Sequence, residues 1–262
     1  MIEAVRALGI QFDQLDLVAA CDACAARDPA LPFAYVVTPH AVHVVQSYRG
    51  DPMFLAGIDA AWMVLCDSRV VRNLVRLLFG ARLALAPGSD LTVRLLEHVI
   101  RPDDAITVVG GTQEVAERLR ARFGLRHLTL HAPPFGFINN RAEVDACISF
   151  VRDHPARFVF LACGAPQSEF LGARLVASGQ ATGVGLCIGV SLLFATGQAS
   201  RAPLLMQRLS LEWLHRLAME PRRMTRRLLT GQLPLLWVAL RYRLHDGKYA
   251  AASGRRAVPW KR

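Results

Sequence analysis

Short β-branched or apolar runs alternate with longer amphipathic stretches through the first 200 residues, and each run ends in a Gly, Pro or Asp turn. Residues 33–38 (FAYVVT) lead into Pro39 and a helical pattern that reaches about residue 49. Residues 61–66 (AWMVLC) end at Asp67-Ser68, two candidate caps for a helix to residue 79. Residues 82–86 end at Pro87-Gly88, with a helix from 89 to 100; residues 106–109 (ITVV) end at Gly110-Gly111, with Thr112 capping a helix to 123. Further strands are predicted at 127–130, 158–162 and 183–188, and helices near 141–153 and 166–178. Strands separated by helices of this length form a parallel sheet covered on both faces. Ligands of such sheets bind beyond the carboxyl ends of the strands, where Thr38, Asp67, Gly88, Gly110 and Gly164 fall.

The rhythm stops near residue 201. Residues 203–244 read as two or three helices without an intervening strand, and 246–262 as a disordered tail. The division is thus a core over 1–200, a basic helical appendage over 201–245 and the tail. A chain of 262 residues with 53% hydrophobic and 20% charged residues is too apolar for disorder as a whole. Charge separates the parts. Residues 201–262 hold 14 of the 31 Lys and Arg but only three of the 21 acids, so the appendage and tail carry +11 and the rest −1. Such a segment suits nucleic acid, an anionic membrane face or a phosphorylated ligand. Nucleic acid is disfavoured, because no aromatic-interleaved basic surface or reader motif accompanies the charge. The run 234–240 (PLLWVAL), flanked by arginines, suits a helix in the headgroup region or one docked on the core.

Several chemistries are excluded by what the sequence lacks. The N-terminal MIEAVRALGIQFDQLD carries early acids and no long apolar stretch, unlike a signal peptide, and no run of about 18 apolar residues offers a spanning helix. The six cysteines are scattered in apolar runs, as reduced buried thiols are, and Cys21-Asp-Ala-Cys24 has no second pair. The eight histidines include no H-E-x-x-H, and neither G-x-S-x-G nor D-x-D occurs, so no metal site is expected. A bound nucleotide diphosphate must then take its positive charge from arginines and helix N-termini.

Three groups remain as candidates. Gly110-Gly111 is either a tight strand–helix turn or a phosphate cradle. Asp67, at the mouth of the sheet, is either a helix cap or a buried carboxylate tuned as a general base. The third is residues 197–227, where Arg201, Arg216, Arg222 and Arg223 belong to a set of seven arginines that Glu212 and Glu220 are too few to pair. Their forked guanidinium groups suit a diphosphate.

The stretch GQASRAPLLMQRLSLEWLHRLAMEPRRMTRR resembles the signature of the WecG/TagA/CpsF glycosyltransferases (glycosyltransferase family 26). The similarity rests on Gly197, Arg201-Ala202-Pro203, Leu211-Glu212-Trp213, Arg216-Leu217, Glu220-Pro221 and Arg223. Upstream it takes in Thr38, Asp67, Gly88-Ser89-Asp90-Leu91, Gly110-Gly111, Pro133-Pro134-Phe135-Gly136-Phe137 and Gly164-x-Pro166-Gln167-x-Glu169. The resemblance implies a Rossmann-like α/β core and an inverting, metal-independent transfer, without cofactor, from a UDP-sugar to a polyprenyl-diphosphate-linked saccharide. It further implies a peripheral place on the inner face of the cytoplasmic membrane, a role in surface or exopolysaccharide synthesis, and a homo-oligomer. By the same resemblance Asp67 is the general base, assisted by Thr38. His40, Gly110, Gly111, Gln167 and Glu169 attend the donor, and Arg201, Arg216, Arg222 and Arg223 close over the diphosphate. The resemblance implies a hexosyltransferase or N-acetylmannosaminyltransferase type; the Asp67-Ser68 and PPFGF variants are similar to the exopolysaccharide branch, which weighs against UDP-N-acetylmannosamine as the donor. His40 and Leu193 stand where the family pattern has asparagine and aspartate, which leaves open an inactive member that binds UDP-sugar as a scaffold.

Overall fold

The computed structural model describes residues 2–198, 228–245 and 252–256. Among these, six strands form one parallel sheet: β3 (Ala34–Val37), β4 (Met63–Val64), β5 (Ala105–Val109), β6 (His127–His131), β7 (Phe158–Leu161) and β8 (Val184–Cys187), in the order β4-β3-β8-β7-β5-β6. Alternation along the strands divides the interior into two cores. On β7, Phe158 and Phe160 face one core while Val159 and Leu161 face the other. The first core packs against α1 (Leu17–Ala26), α5 (Gly88–His98), α6 (Gln113–Phe123) and the short α9 (Ser191–Ala195). The second packs against α2 (Ala41–Tyr48), α3 (Pro52–Asp59), α4 (Arg69–Phe79), α7 (Arg141–Asp153) and α8 (Gln167–Ser178). Both faces are therefore covered, as the strand–helix rhythm implied.

Most predicted elements form, and the exceptions have local reasons. The run 82–86 makes only a parallel bridge from Leu85 to Cys66, because β4 beside it is two residues long and offers no ladder to extend. An N-terminal hairpin, β1 (Ile2–Ala7) and β2 (Ile10–Asp13), escaped the sequence reading. Its two-residue turn places both Leu8 (φ 52°) and Gly9 (φ 80°) in the left-handed region, where a leucine is an unusual choice. Leu8 is held there by burial in the second core. The hairpin also protects the sheet edge, since the buried Asp13 carboxylate accepts the Val64 N–H at 2.8 Å. Within the stretch expected to be a disordered tail, Ala252–Arg256 forms β9, antiparallel to β1, whose outer edge was open to pairing.

The last described helix, α10 (Leu233–His245), follows a single π-type turn at Leu228–Gln232. One face bears out the docked reading of the PLLWVAL run. Leu235, Val238 and Ala239 are buried in the second core, while Leu233, Leu236, Trp237, Leu240 and Leu244 are each more than half exposed. Among the described residues no helix is long and apolar enough to cross a membrane.

Candidate active site

A cleft of about 510 Å³ opens beyond the carboxyl ends of β3, β4, β7 and β8. Thr38, His40, Asp67, Gly88, Gly164 and Glu169 line it, so four of the predicted site residues come together: Thr38 and His40 from the β3–α2 connection, Asp67 from the β4–α4 connection and Glu169 from the first turn of α8.

Asp67 and Ser68 were rival caps for α4, and the structure divides the work between them. Ser68 Oγ accepts the Val71 N–H at 3.3 Å and so caps α4. Asp67 is left to turn into the cleft, where its Oδ1 accepts the Gly88 N–H at 2.8 Å. That N–H is one of the unpaired donors at the start of α5, whose own cap position, Pro87, offers no side-chain acceptor. Gly88 also brings Thr38 close. A Cβ at position 88 would stand 2.5 Å from Thr38 Oγ1, so only glycine lets α5 begin here. Thr38, Gly88 and Asp67 thus form one tight corner at the ends of β3 and β4.

His40 caps α2. Its Nδ1 accepts the Val42 N–H at 3.3 Å, and His43 Nδ1 accepts the His40 N–H at 3.1 Å. The two imidazoles stack at 4.0 Å, and His43 stacks in turn on Phe54 at 5.0 Å. With Nδ1 accepting in each, the proton of the neutral ring sits on Nε2.

On the opposite wall, Glu169 is buried in the first turn of α8 with only 4% of its surface exposed. A Cβ on Gly57 would stand 2.6 Å from Glu169 Cβ, so the glycine in α3 allows the two helices to close over the carboxyl group. Tyr35, whose hydroxyl donates to the Gly57 carbonyl, fixes that crossing from β3. Burial pushes the Glu169 carboxyl up to about 7, and its own backbone N–H opposes the shift only partly. Glu169 Oε2 has no hydrogen-bond partner.

Other predicted residues lie elsewhere. Gln167 is half-buried at the start of α8 and does not line the cleft. Gly110 and Gly111 are also outside the lining. A Cβ on Gly110 would meet the Ala162 backbone at 2.8 Å, so this glycine serves the close approach of β5 to the end of β7, and Thr112 caps α6 behind it. Arg201, Arg216, Arg222 and Arg223 lie outside the described residues. Cys21 and Cys24 are packed thiols inside α1, both pushed up by burial. Among the described residues, no group of three or more His, Cys, Asp or Glu is placed to hold a metal ion.

Sequence reasoning missed the far wall, made by Gly189, Val190 and Ser191 after β8, by Phe194 of α9 and by Thr230. The only local signal was the small-residue turn after the last parallel strand. Phe194 and Thr230 flank residues 199–227 in the sequence, and both line the cleft.

The family model for the glycosyl transferase WecG/TagA/CpsF family matches residues 5–249, which takes in both the cleft and the basic segment. The chain belongs to the WecG/TagA/CpsF glycosyltransferase family.

Proposed function

We propose that this chain is an inverting, metal-independent glycosyltransferase that moves a sugar from a UDP-sugar to a polyprenyl-diphosphate-linked saccharide during bacterial surface or exopolysaccharide synthesis. The observation that carries the reading is the corner of Thr38, Gly88 and Asp67, which fixes one carboxylate at the mouth of the sheet in a chain of this family.

An inverting transfer needs a base on one side of the anomeric carbon and a stabilised leaving group on the other. Asp67 takes the proton of the acceptor hydroxyl as that oxygen forms its bond to the anomeric carbon. The bond from that carbon to the diphosphate oxygen breaks, and UDP leaves with the electron pair. The Gly88 N–H fixes the Asp67 carboxyl group in orientation, so little reorganisation is needed at the moment of reaction. Thr38 and His40 flank the base, and Glu169 faces the donor from the other wall. Gln167, Gly110 and Gly111 lie outside the cleft lining, so the proposed donor contacts rest on Thr38, His40 and Glu169. The charge on the departing UDP falls to Arg201, Arg216, Arg222 and Arg223, which belong to the segment bracketed by Phe194 and Thr230.

The exposed face of α10, with Arg241 and Arg243 on the same helix, suits the headgroup region of an anionic cytoplasmic membrane face, where a polyprenyl substrate resides. The chain then works as a peripheral protein. A panel of UDP-sugars offered with synthetic polyprenyl-diphosphate mono- and disaccharides tests the function. Transfer from one donor, unchanged by EDTA, is expected. UDP binding with no transfer from any donor would contradict the reading and favour an inactive, scaffold-like family member.

A further inference from the structure

Glu169 is a carboxyl group in a place where a carboxylate is costly. It is 4% exposed, it lines the cleft, and its Oε2 has no hydrogen-bond partner. Among the described residues no cation pairs with it. From α3 it meets uncharged Gly57. The titratable groups on the surrounding elements are Tyr35 on β3, Cys163 after β7 and Cys187 on β8, with His40 and His43 of α2 and Asp67 after β4 on the cleft wall. Both thiols are pushed up, by burial first and by the Glu169 charge among the smaller causes. None of these offers a fixed positive charge to a buried carboxylate.

A buried acceptor with nothing to accept is better served by being a donor. We propose, building on the reading of the cleft as a UDP-sugar site, that Glu169 enters the donor complex as a neutral carboxyl group that gives a hydrogen bond to an oxygen of the bound diphosphate, so that donor binding and protonation of Glu169 are linked. The ionised group would instead present a buried negative charge to an anion in the same cleft. Burial alone already brings the free group near half-protonation at neutral pH, since it is pushed up to about 7. Approach of the diphosphate then draws in a proton from solvent. Asp67 and Glu169 divide their roles by environment: the first accepts an N–H at a helix start, and the second is walled in by α3 and α8.

The test is calorimetric titration of the protein and of Glu169→Gln with UDP between about pH 7 and about pH 9, where the terminal phosphate (second pKa about 6) is already ionised. UDP affinity of the unaltered protein is expected to fall by up to about tenfold per pH unit, with proton uptake visible as a dependence of the heat on buffer ionisation enthalpy. Glu169→Gln keeps a hydrogen-bond donor without a proton to lose, so its affinity is expected to stay nearly level and its uptake to vanish. Any slope from His40 or His43 is common to both proteins. Equal slopes and equal uptake in the two would overturn the proposal and leave the donor site standing, whereas UDP binding to neither would overturn both. Infrared difference spectra of the unaltered protein decide independently of the variant's folding. A protonated-carboxyl band in the UDP complex at about pH 8 supports the proposal, and its absence overturns it.

Discussion

Asp67 shows how far a residue's role depends on its neighbour. Ser68 caps α4, and because it does, Asp67 is available to take the Gly88 N–H and to face the cleft. The sequence showed both residues after a buried run but held no sign of which one the helix would use. Glu169 was harder to read. Its place in Gly-x-Pro-Gln-x-Glu marked it as a site residue, but its burial is set by Gly57, a glycine on another helix that sequence reading had no reason to single out. Burial of this carboxyl has a consequence for stability. Its folded-state value is raised from 4.5 to about 7, so between those values the folded chain holds a proton that the unfolded chain has lost. Stability therefore falls as pH rises through that window, by about 3 kcal/mol once both states are ionised. Glu169→Gln removes this penalty. Urea unfolding at about pH 4 is expected to show little gain for the variant, and at about pH 8 a gain on the order of 1–3 kcal/mol. An equal difference at both pH values would contradict the burial argument.

At the scale of elements, α10 shows what periodicity leaves unsaid. An apolar helix flanked by arginines can dock or lie on a membrane; this one docks by one face and leaves the other exposed. Leu235, Val238 and Ala239 pack inward, and Tyr242 meets Gly9 of the hairpin turn, where any Cβ would collide with the Tyr242 hydroxyl. Trp237 packs edge-on against Tyr48 and lies under the Arg241 guanidinium while remaining half exposed. Packing on α2 and α4 sets which face turns inward, and Tyr242 adds a contact to the hairpin, itself missed. Its turn carries Leu-Gly rather than Asn-Gly, and its strands are too short for a clear alternation. The outward leucines make the membrane reading testable. Leu236→Asp with Leu240→Asp is expected to lower binding to vesicles containing anionic lipid by about tenfold or more, because half-exposed leucines forfeit part of their roughly 1.5–3 kcal/mol burial gain each. Thermal stability should barely change, as both positions face solvent. Undiminished vesicle binding with an intact fold would show that α10 is not the contact surface.

For the whole molecule, the parallel sheet was the most legible part of the sequence, since β3, β4, β5 and β6 are each followed by a helix with a side-chain cap. Strand order was not legible. It is the insertion of β8 and β7 between β3 and β5 that brings Thr38, Asp67, Gly164 and Gly189 to one cleft and leaves Gly110 and Gly111 beside it. The chain joins a near-neutral core to a basic segment whose flanking residues Phe194 and Thr230 line the cleft. The proposed reaction gives the proton chemistry to one carboxylate of that cleft, and Asp67→Asn isolates it, because the amide oxygen can still accept the Gly88 N–H and keep the corner folded. The direct test is kcat for transfer from the accepted UDP-sugar, measured beside UDP affinity in the same protein. The account expects kcat to fall about 10²–10⁴-fold in Asp67→Asn with UDP affinity nearly unchanged. Transfer at close to the unaltered rate would contradict it and move the base to another residue.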